Sequence, residues 1–285
     1  MALNAGRRPT AEKAVLRRLW QYWRARRDAA ALRRRAIPDD LWKRTLVRYP
    51  FLQRRDAEAA QELRRLTSLF LDKKEFSTSG GLRLTDAMVV SIAAQAVLPV
   101  LRLGLARYDR FVGIVVHPDQ VVARREVADE DGVVHHDEAA LAGEAMEGGP
   151  VMLSWRDVRS AGHTARGGST AAYNVVIHEF AHVLDMEDGV ANGMPRLPAG
   201  LSAPLWRQTL SDELERFAQR VEAEDETALD PYGAQGPEEF FAVASEAFFV
   251  SPEAMKKEHP ALYGMLCRFY LQDPAADLPP SRTGL

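Results

Sequence analysis

The sequence predicts an α+β fold, on three observations. Segments with apolar residues every three or four positions fill both ends of the chain. β-Branched runs gather in its middle, between residues 111 and 155. No internal repeat or low-complexity tract interrupts this order, which argues for helices set around a small central group of strands. With 285 residues, 46% hydrophobic and 27% charged, the chain has ample material for a core.

Residues 1–36 stand apart. Arg and Lys dominate there, only Glu12 and Asp28 oppose them, and Leu16, Leu19, Trp20 and Trp23 recur at helical spacing. A basic amphipathic helix docked on the main body is expected. The competing readings for this segment are a loose arm and, last, contact with anionic lipid or nucleic acid. No direct nucleic-acid partner is expected.

Pro38 and Asp39 open the next segment. "DDLWKRTLVRYPFL" and "DAEAAQELRRLTSLFL" predict helices over 39–48 and 56–71. Thr85 is the expected N-cap of a helix over 86–98, limited by Pro99. "FVGIVV" (111–116) reads as a strand. "QVVARREV" and "GVVHH" flank the turn dipeptide Asp131-Gly132 and read as a hairpin. "PVMLSW" (150–155) is a further short strand, and "SAGHTARGGS" (160–169) is a loop. The helix that follows carries the motif treated below and is stopped by Gly189, Gly193 and Pro195. Trp206, Leu210, Leu214, Phe217 and Val221 form one stripe of another helix, and "GPEEFFAVASEAFF" predicts a helix near 237–250. Residues 273–285, with three prolines, read as a tail.

Composition excludes several classes. A net charge of −3 gives the whole chain no strong pull toward nucleic acid. The single cysteine, Cys267, rules out an internal disulfide and sits in an apolar helical pattern, so it reads as core. The apolar stretch 87–101 falls short of the ~20 residues needed to cross a bilayer, and it contains Gln95 and Pro99. No apolar run follows Arg7 and Arg8, so no signal peptide is expected and the expected location is the cytoplasm.

The chemistry concentrates in "NVVIHEFAHVLDMEDG" (174–189), where His178-Glu179-Phe180-Ala181-His182 places two histidines four residues apart. On a helix such residues share a face, about 5–6 Å apart, and two imidazoles so placed can converge on one Zn²⁺. Glu179 projects differently and has the place of a general base. Val175, Val176, Phe180, Val183 and Leu184 would bury much of the helix, and buried histidines need partners. A catalytic zinc takes three protein ligands and one water. Asp185 and Asp188 stand where a metzincin would have Gly and His, so that signature fails. The third ligand is then Asp188 or one of Glu238, Glu239 and Glu246. Glu239 and Glu246 are seven apart and share a face, so one as ligand and one as support would satisfy both. Asp185, seven after His178, and Glu246 are candidate partners for the histidine's outer nitrogen. His117, His135, His136, His163 and His259 have no metal spacing to one another and read as structural.

The chain resembles the Mlc titration factor A family of bacterial zinc-dependent peptidases, whose catalytic region is similar to that of anthrax lethal factor. "IPDDLWKRTLVRYPFL", "LFLDKKEF", "IAAQAVLPVLRLGL", "VVIHEFAHVLDM", "DPYGAQGPEEFFAVASEAFF" and "RFYLQDP" carry the resemblance, across about residues 37–275. It implies a zincin-like core with a small mixed sheet, of the HExxH-plus-distant-glutamate (gluzincin) type. It puts the third ligand at Glu239, the first glutamate of "EFFAVASE", and a tyrosine facing the metal at Tyr232. A phenol there could donate to the oxyanion formed when water attacks a peptide carbonyl. The expected arrangement is therefore Zn²⁺ on His178, His182 and Glu239, with Glu179 and Tyr232 catalytic.

The strand 150–155 is the expected edge for an extended peptide substrate. The expected domains are a basic extension over 1–36, a peptidase domain over 37–275 with a helical part to about 100, and a tail over 276–285. The resemblance further implies aminopeptidase-like activity and binding of a Mlc-like transcriptional repressor of sugar uptake. The alternatives are a repressor-sequestering protein with a mainly structural zinc, and a zinc hydrolase acting on a non-peptide amide.

Overall fold

The structure, a computed structural model, describes residues 11–119, 121–128, 134–141, 143–145, 149–161 and 172–276, with the backbone alone for 11–18, 20, 21 and the strands between 121 and 145. The Asp131-Gly132 turn, residues 162–169 of the expected loop with His163, and residues 277–285 of the tail lie outside the described residues.

Helix α1 (Ala11–Arg34) packs against α3 (Ala57–Lys73). Ala31 is buried between them, and Arg34 holds Asp72 through Nε and Nη2 at 3.2 and 3.0 Å. Of the stripe expected to dock, Leu19 and Trp23 are 51% and 66% exposed, while the side chains of Leu16 and Trp20 lie outside the described residues. Ala31 lies twelve residues beyond Leu19, which at 100° per residue is a third of a turn away. At the C-terminal end of α1 the docked face is the one that carries Ala31. Helix α2 (Asp39–Arg48) leads through a 3-10 turn (Pro50–Gln53) into α3, whose N-cap Asp56 accepts from Ala59 N at 2.7 Å.

Lys74 leaves α3 directly for strand β1 (Glu75–Thr78), an element without an alternating signal of its own. Helix α4 (Asp86–Val97) starts where Thr85 caps it and is buried along almost its whole length. Strand β2 (Gly113–His117) begins two residues later than expected, because Phe111 turns into the core. Strands β3 (Val121–Ala128) and β4 (Val134–Leu141) pair antiparallel as a two-stranded ribbon. Strands β5 (Gly143–Ala145) and β6 (Val151–Ser154) complete the main sheet.

Its order is β1-β2-β6-β5. β1 and β2 pair in parallel from Glu75↔Gly113, as do β2 and β6 from Ile114↔Val151, while β5 runs antiparallel to β6. The sheet is therefore mixed, and the fold is α+β. Strand β6, expected at the sheet edge, is paired on both sides, so it has no free backbone to offer a peptide. The edge beside it is β5. Nor does the strand reach 155: Ser154 becomes the N-cap of α5 (Trp155–Ser160), taking Asp157 N at 3.3 Å.

Helix α6 (Val175–Asp185) lies against β5, β6 and α4. Phe180 anchors it in a cluster with Phe70, Tyr108 and Phe111, at centroid distances of 5.7, 5.0 and 5.7 Å. Beyond Gly189 the chain reaches α7 (Ala203–Glu222), where Trp206, Leu210 and Phe217 of the expected stripe are buried. α8 (Pro237–Val250), α9 (Pro252–Glu258) and α10 (Pro260–Tyr270) close the fold, with α8 packed on α6. His259 is structural as expected: it is buried at the start of α10 and bonded to Glu213 of α7 at 2.8 Å. Cys267 is partly buried against the core, and burial pushes its thiol up to about 11. No described helix is long and apolar enough to cross a membrane.

Candidate metal centre

Asn174 starts α6, its side chain accepting from Ile177 N at 3.0 Å. One turn later the helix presents His178 and His182 on the side that meets α8. α8 begins at Pro237 after a 3-10 turn (Pro231–Gln235), so Glu239 falls in its first turn and Glu246 two turns further on.

Three ligand atoms converge. His178 Nε2 lies 3.1 Å from Glu239 Oε2 and 3.2 Å from His182 Nε2, and His182 Nε2 lies 3.3 Å from the same carboxylate oxygen. Three atoms held 2.0–2.1 Å from one tetrahedral zinc lie roughly 3.3 Å apart, so the triangle has the size a zinc ion requires. The polarity fits as well. A carboxylate only accepts, so the 2.8 Å contact of His178 Nδ1 with Glu246 Oε1 puts a proton on Nδ1. With the ring neutral, Nε2 would aim a lone pair at His182 Nε2 and at a carboxylate, an arrangement that a shared cation satisfies. Among the described residues, this trio is the group of ligand side chains that meets such a geometry.

Charge points the same way. Burial works against a protonated His178, yet its hydrogen bonds to the Glu239 and Glu246 carboxylates raise its pKa well above the ordinary value, so without an ion Nε2 carries a proton that a bound cation would displace. Burial also opposes the Glu239 carboxylate, but the two imidazoles hold it well below the usual range. Glu179 is 4% exposed, and desolvation lifts it to about 7. Three carboxyl groups crowd the two imidazoles, a set of donors that a divalent cation would suit.

The other candidates divide. Glu246 is buried and has both oxygens engaged, Oε1 with His178 and Oε2 with the backbone N–H of Asn174. Tyr232 is 41% exposed, with its ring 6.0 Å from that of His178. Asp188 is exposed and accepts from Val190 N at 3.2 Å, away from the trio, and Glu238 also stays outside it. Asp185 does not partner His178. Seven residues carry it about 10 Å along the helix axis, and its Oδ2 instead accepts from the amides of Asn192 and Gly193 at 2.8 and 2.7 Å. Burial raises it to about 6 against those bonds. It ties down the loop after α6, which Arg107 and Arg110 also grip through the Arg196, Met186 and Glu187 carbonyls.

Sequence reasoning passed over two buried polar residues bonded to each other beside the site, Asn174 and Gln95. The signal was an amide in otherwise apolar "SIAAQAV".

Comparison with known proteins finds relatives across most of the chain. The sequence profile of the family described as glucose-regulated metallo-peptidase M90 matches residues 20–271, a span that begins inside α1. The chain is 34% identical over 235 residues to Mlc titration factor A of Pectobacterium atrosepticum, covering 81% of this chain and 86% of that protein. It is 36% identical over 228 residues to Mlc titration factor A of Edwardsiella ictaluri, covering 79% and 85%. An uncharacterized protein of Synechocystis is 33% identical over 257 residues, 90% of each chain.

Proposed function

This chain belongs to the glucose-regulated metallo-peptidase family, and from that premise we propose that it is a zinc-dependent peptidase of the two-histidine, distant-glutamate type. The observation that carries the proposal is the triangle of His178, His182 and Glu239 ligand atoms. The core is zincin-like in this reading: one helix supplies the histidines, a second supplies the glutamate, and a mixed sheet lies alongside. Residues 37–275 form the peptidase domain and 1–36 an extension of it.

His178, His182 and Glu239 would hold zinc, which would supply Lewis-acid chemistry and lower the pKa of a bound water to about 7. Glu179, its carboxyl buried and poised near neutrality, takes the proton from the attacking water and passes it to the departing amine. Tyr232, beside His178, donates a hydrogen bond to the carbonyl oxygen as that oxygen gains charge. Glu246 holds the His178 ring by its Nδ1–H and leaves Nε2 for the metal. The substrate strand docks on β5, the sheet edge that lies against α6, by backbone hydrogen bonds.

Cleavage is aminopeptidase-like in this reading, on peptide or protein substrates in the cytoplasm. The relatives' name, Mlc titration factor A, supports a second role in binding a Mlc-like repressor. The test measures zinc content and cleavage of a mixed peptide library by wild type and Glu179→Gln. Both should bind about one zinc, and only wild type should cleave. Turnover by the variant would remove Glu179 from its role. A wild type that binds no zinc would overturn the reading as a whole.

A further inference from the structure

Behind His178 runs a chain of buried hydrogen bonds that leaves α6 and ends in α4. His178 Nδ1–H donates to Glu246 Oε1 at 2.8 Å, and the other oxygen of Glu246 accepts from the backbone N–H of Asn174. The side chain of Asn174 accepts from Ile177 N at 3.0 Å through Oδ1 and donates from Nδ2 to Gln95 Oε1 at 2.9 Å. Gln95 Nε2 donates to Ser91 O at 3.0 Å. Gln95 and Asn174 are 0% exposed and Glu246 is 2% exposed.

Every link has one donor–acceptor sense. The Ile177 N–H can only donate, which fixes the Asn174 amide. The Ser91 carbonyl can only accept, which fixes the Gln95 amide the same way round. The two assignments meet without conflict at the Asn174–Gln95 contact, so neither amide can flip without opposing two donors or two acceptors. A buried primary amide in an apolar helix is costly unless paired, and Met would fill the same volume of α4 without that cost. The pairing that repays Gln95 leads to the ligand helix.

We propose that Gln95 and Asn174 are positioning residues for the metal centre: they fix Glu246, and through it the ring orientation and tautomer of His178. The inference rests on the zinc reading above. It makes the helical part before residue 100, which supplies no ligand, a contributor to metal affinity.

The experiment measures zinc affinity of the full chain by competition with a chromogenic chelator, alongside Tm. Gln95→Met removes the far link. Asn174→Ser keeps a good N-cap and the backbone N–H but deletes the donor to Gln95. Val90→Ala, at a buried position of the same helix near α1 and α2, controls for lost packing. Outer partners of a metal-bound histidine are worth about 10- to 100-fold in affinity. The expected loss is about tenfold in each of the first two variants, with Val90→Ala close to wild type even where its Tm falls as far. Wild-type affinity in Gln95→Met and Asn174→Ser would overturn the inference, as would an equal loss in Val90→Ala. The first two variants perturb different helices, so either one that folds decides. A wild type without zinc affinity would instead remove the metal reading on which the inference stands.

Discussion

Both oxygens of Glu246 face donors, so Glu246→Gln must turn its own NH₂ toward either His178 Nδ1–H or the Asn174 N–H. Zinc affinity should fall about 10- to 100-fold while the protein stays folded, as chelator competition and Tm will report. Tyr232 is not one of the three ligand side chains, so Tyr232→Phe should leave zinc affinity close to wild type and lower kcat by about 100-fold, the scale of one lost oxyanion donor. Lys74 provides a pH test. Its Nζ donates to the Tyr108 carbonyl at 2.5 Å and to the Phe111 carbonyl, and burial lowers its pKa from 10.5 to about 8. Between those values the unfolded chain binds more protons than the folded one, so stability rises with pH there. The Tm of wild type relative to Lys74→Met should therefore climb from pH 8 to pH 10. The convergence of His178 and His182 was legible in their spacing, because four residues bring side chains back to one helical face, whereas Glu239 was singled out only through the resemblance. Asp185 was misread because the same periodicity conceals distance along the axis.

At the scale of elements, Gly193 joins the loop after α6 to α8. Its φ is +72°, and a Cβ there would collide with the Pro237 carbonyl oxygen and lie 2.8 Å from Leu210 Cδ2. Gly193→Ala should lower stability by roughly 2–4 kcal/mol. It should also weaken zinc binding, because Pro237 opens the helix that carries Glu239. Calorimetry and the chelator assay would both show it. Helices α2, α3, α4 and α8 were readable because each has a long apolar period and a recognisable start, as at Asp56 and Thr85. The short strands were not. β1 follows α3 with one intervening residue, and β5 has three residues, too few for a period of two to declare itself. Strand order also escaped the reading: β6 pairs with a strand more than thirty residues earlier, and nothing local announces that crossover. That is why a central strand passed for an edge.

At the scale of the molecule, one contiguous core runs from Ala31 to Tyr270 and takes in α2, α3, α4, the sheet and the C-terminal helices. Thermal unfolding should accordingly be a single transition followed by any probe. The trio links α6 to α8 within that core, so an ion bound only by the folded chain stabilises the whole. Exhaustive chelation should lower Tm by roughly 5–10 °C, and added zinc should restore it in a concentration-dependent way. Two separate transitions, or a Tm indifferent to chelator, would contradict the shared core or the metal link respectively.

The docking of α1 along α3 has an electrical consequence. The first 36 residues hold eleven Lys or Arg against two acidic residues (+9), so the remainder of a chain with net charge −3 carries −12. A helix about 36 Å long fastened to one flank keeps much of that positive charge on one side. The molecule should then behave as an electric dipole despite its small net charge. At one pH and low ionic strength it should adhere to anion- and cation-exchange resins alike, and modest salt should elute it from both.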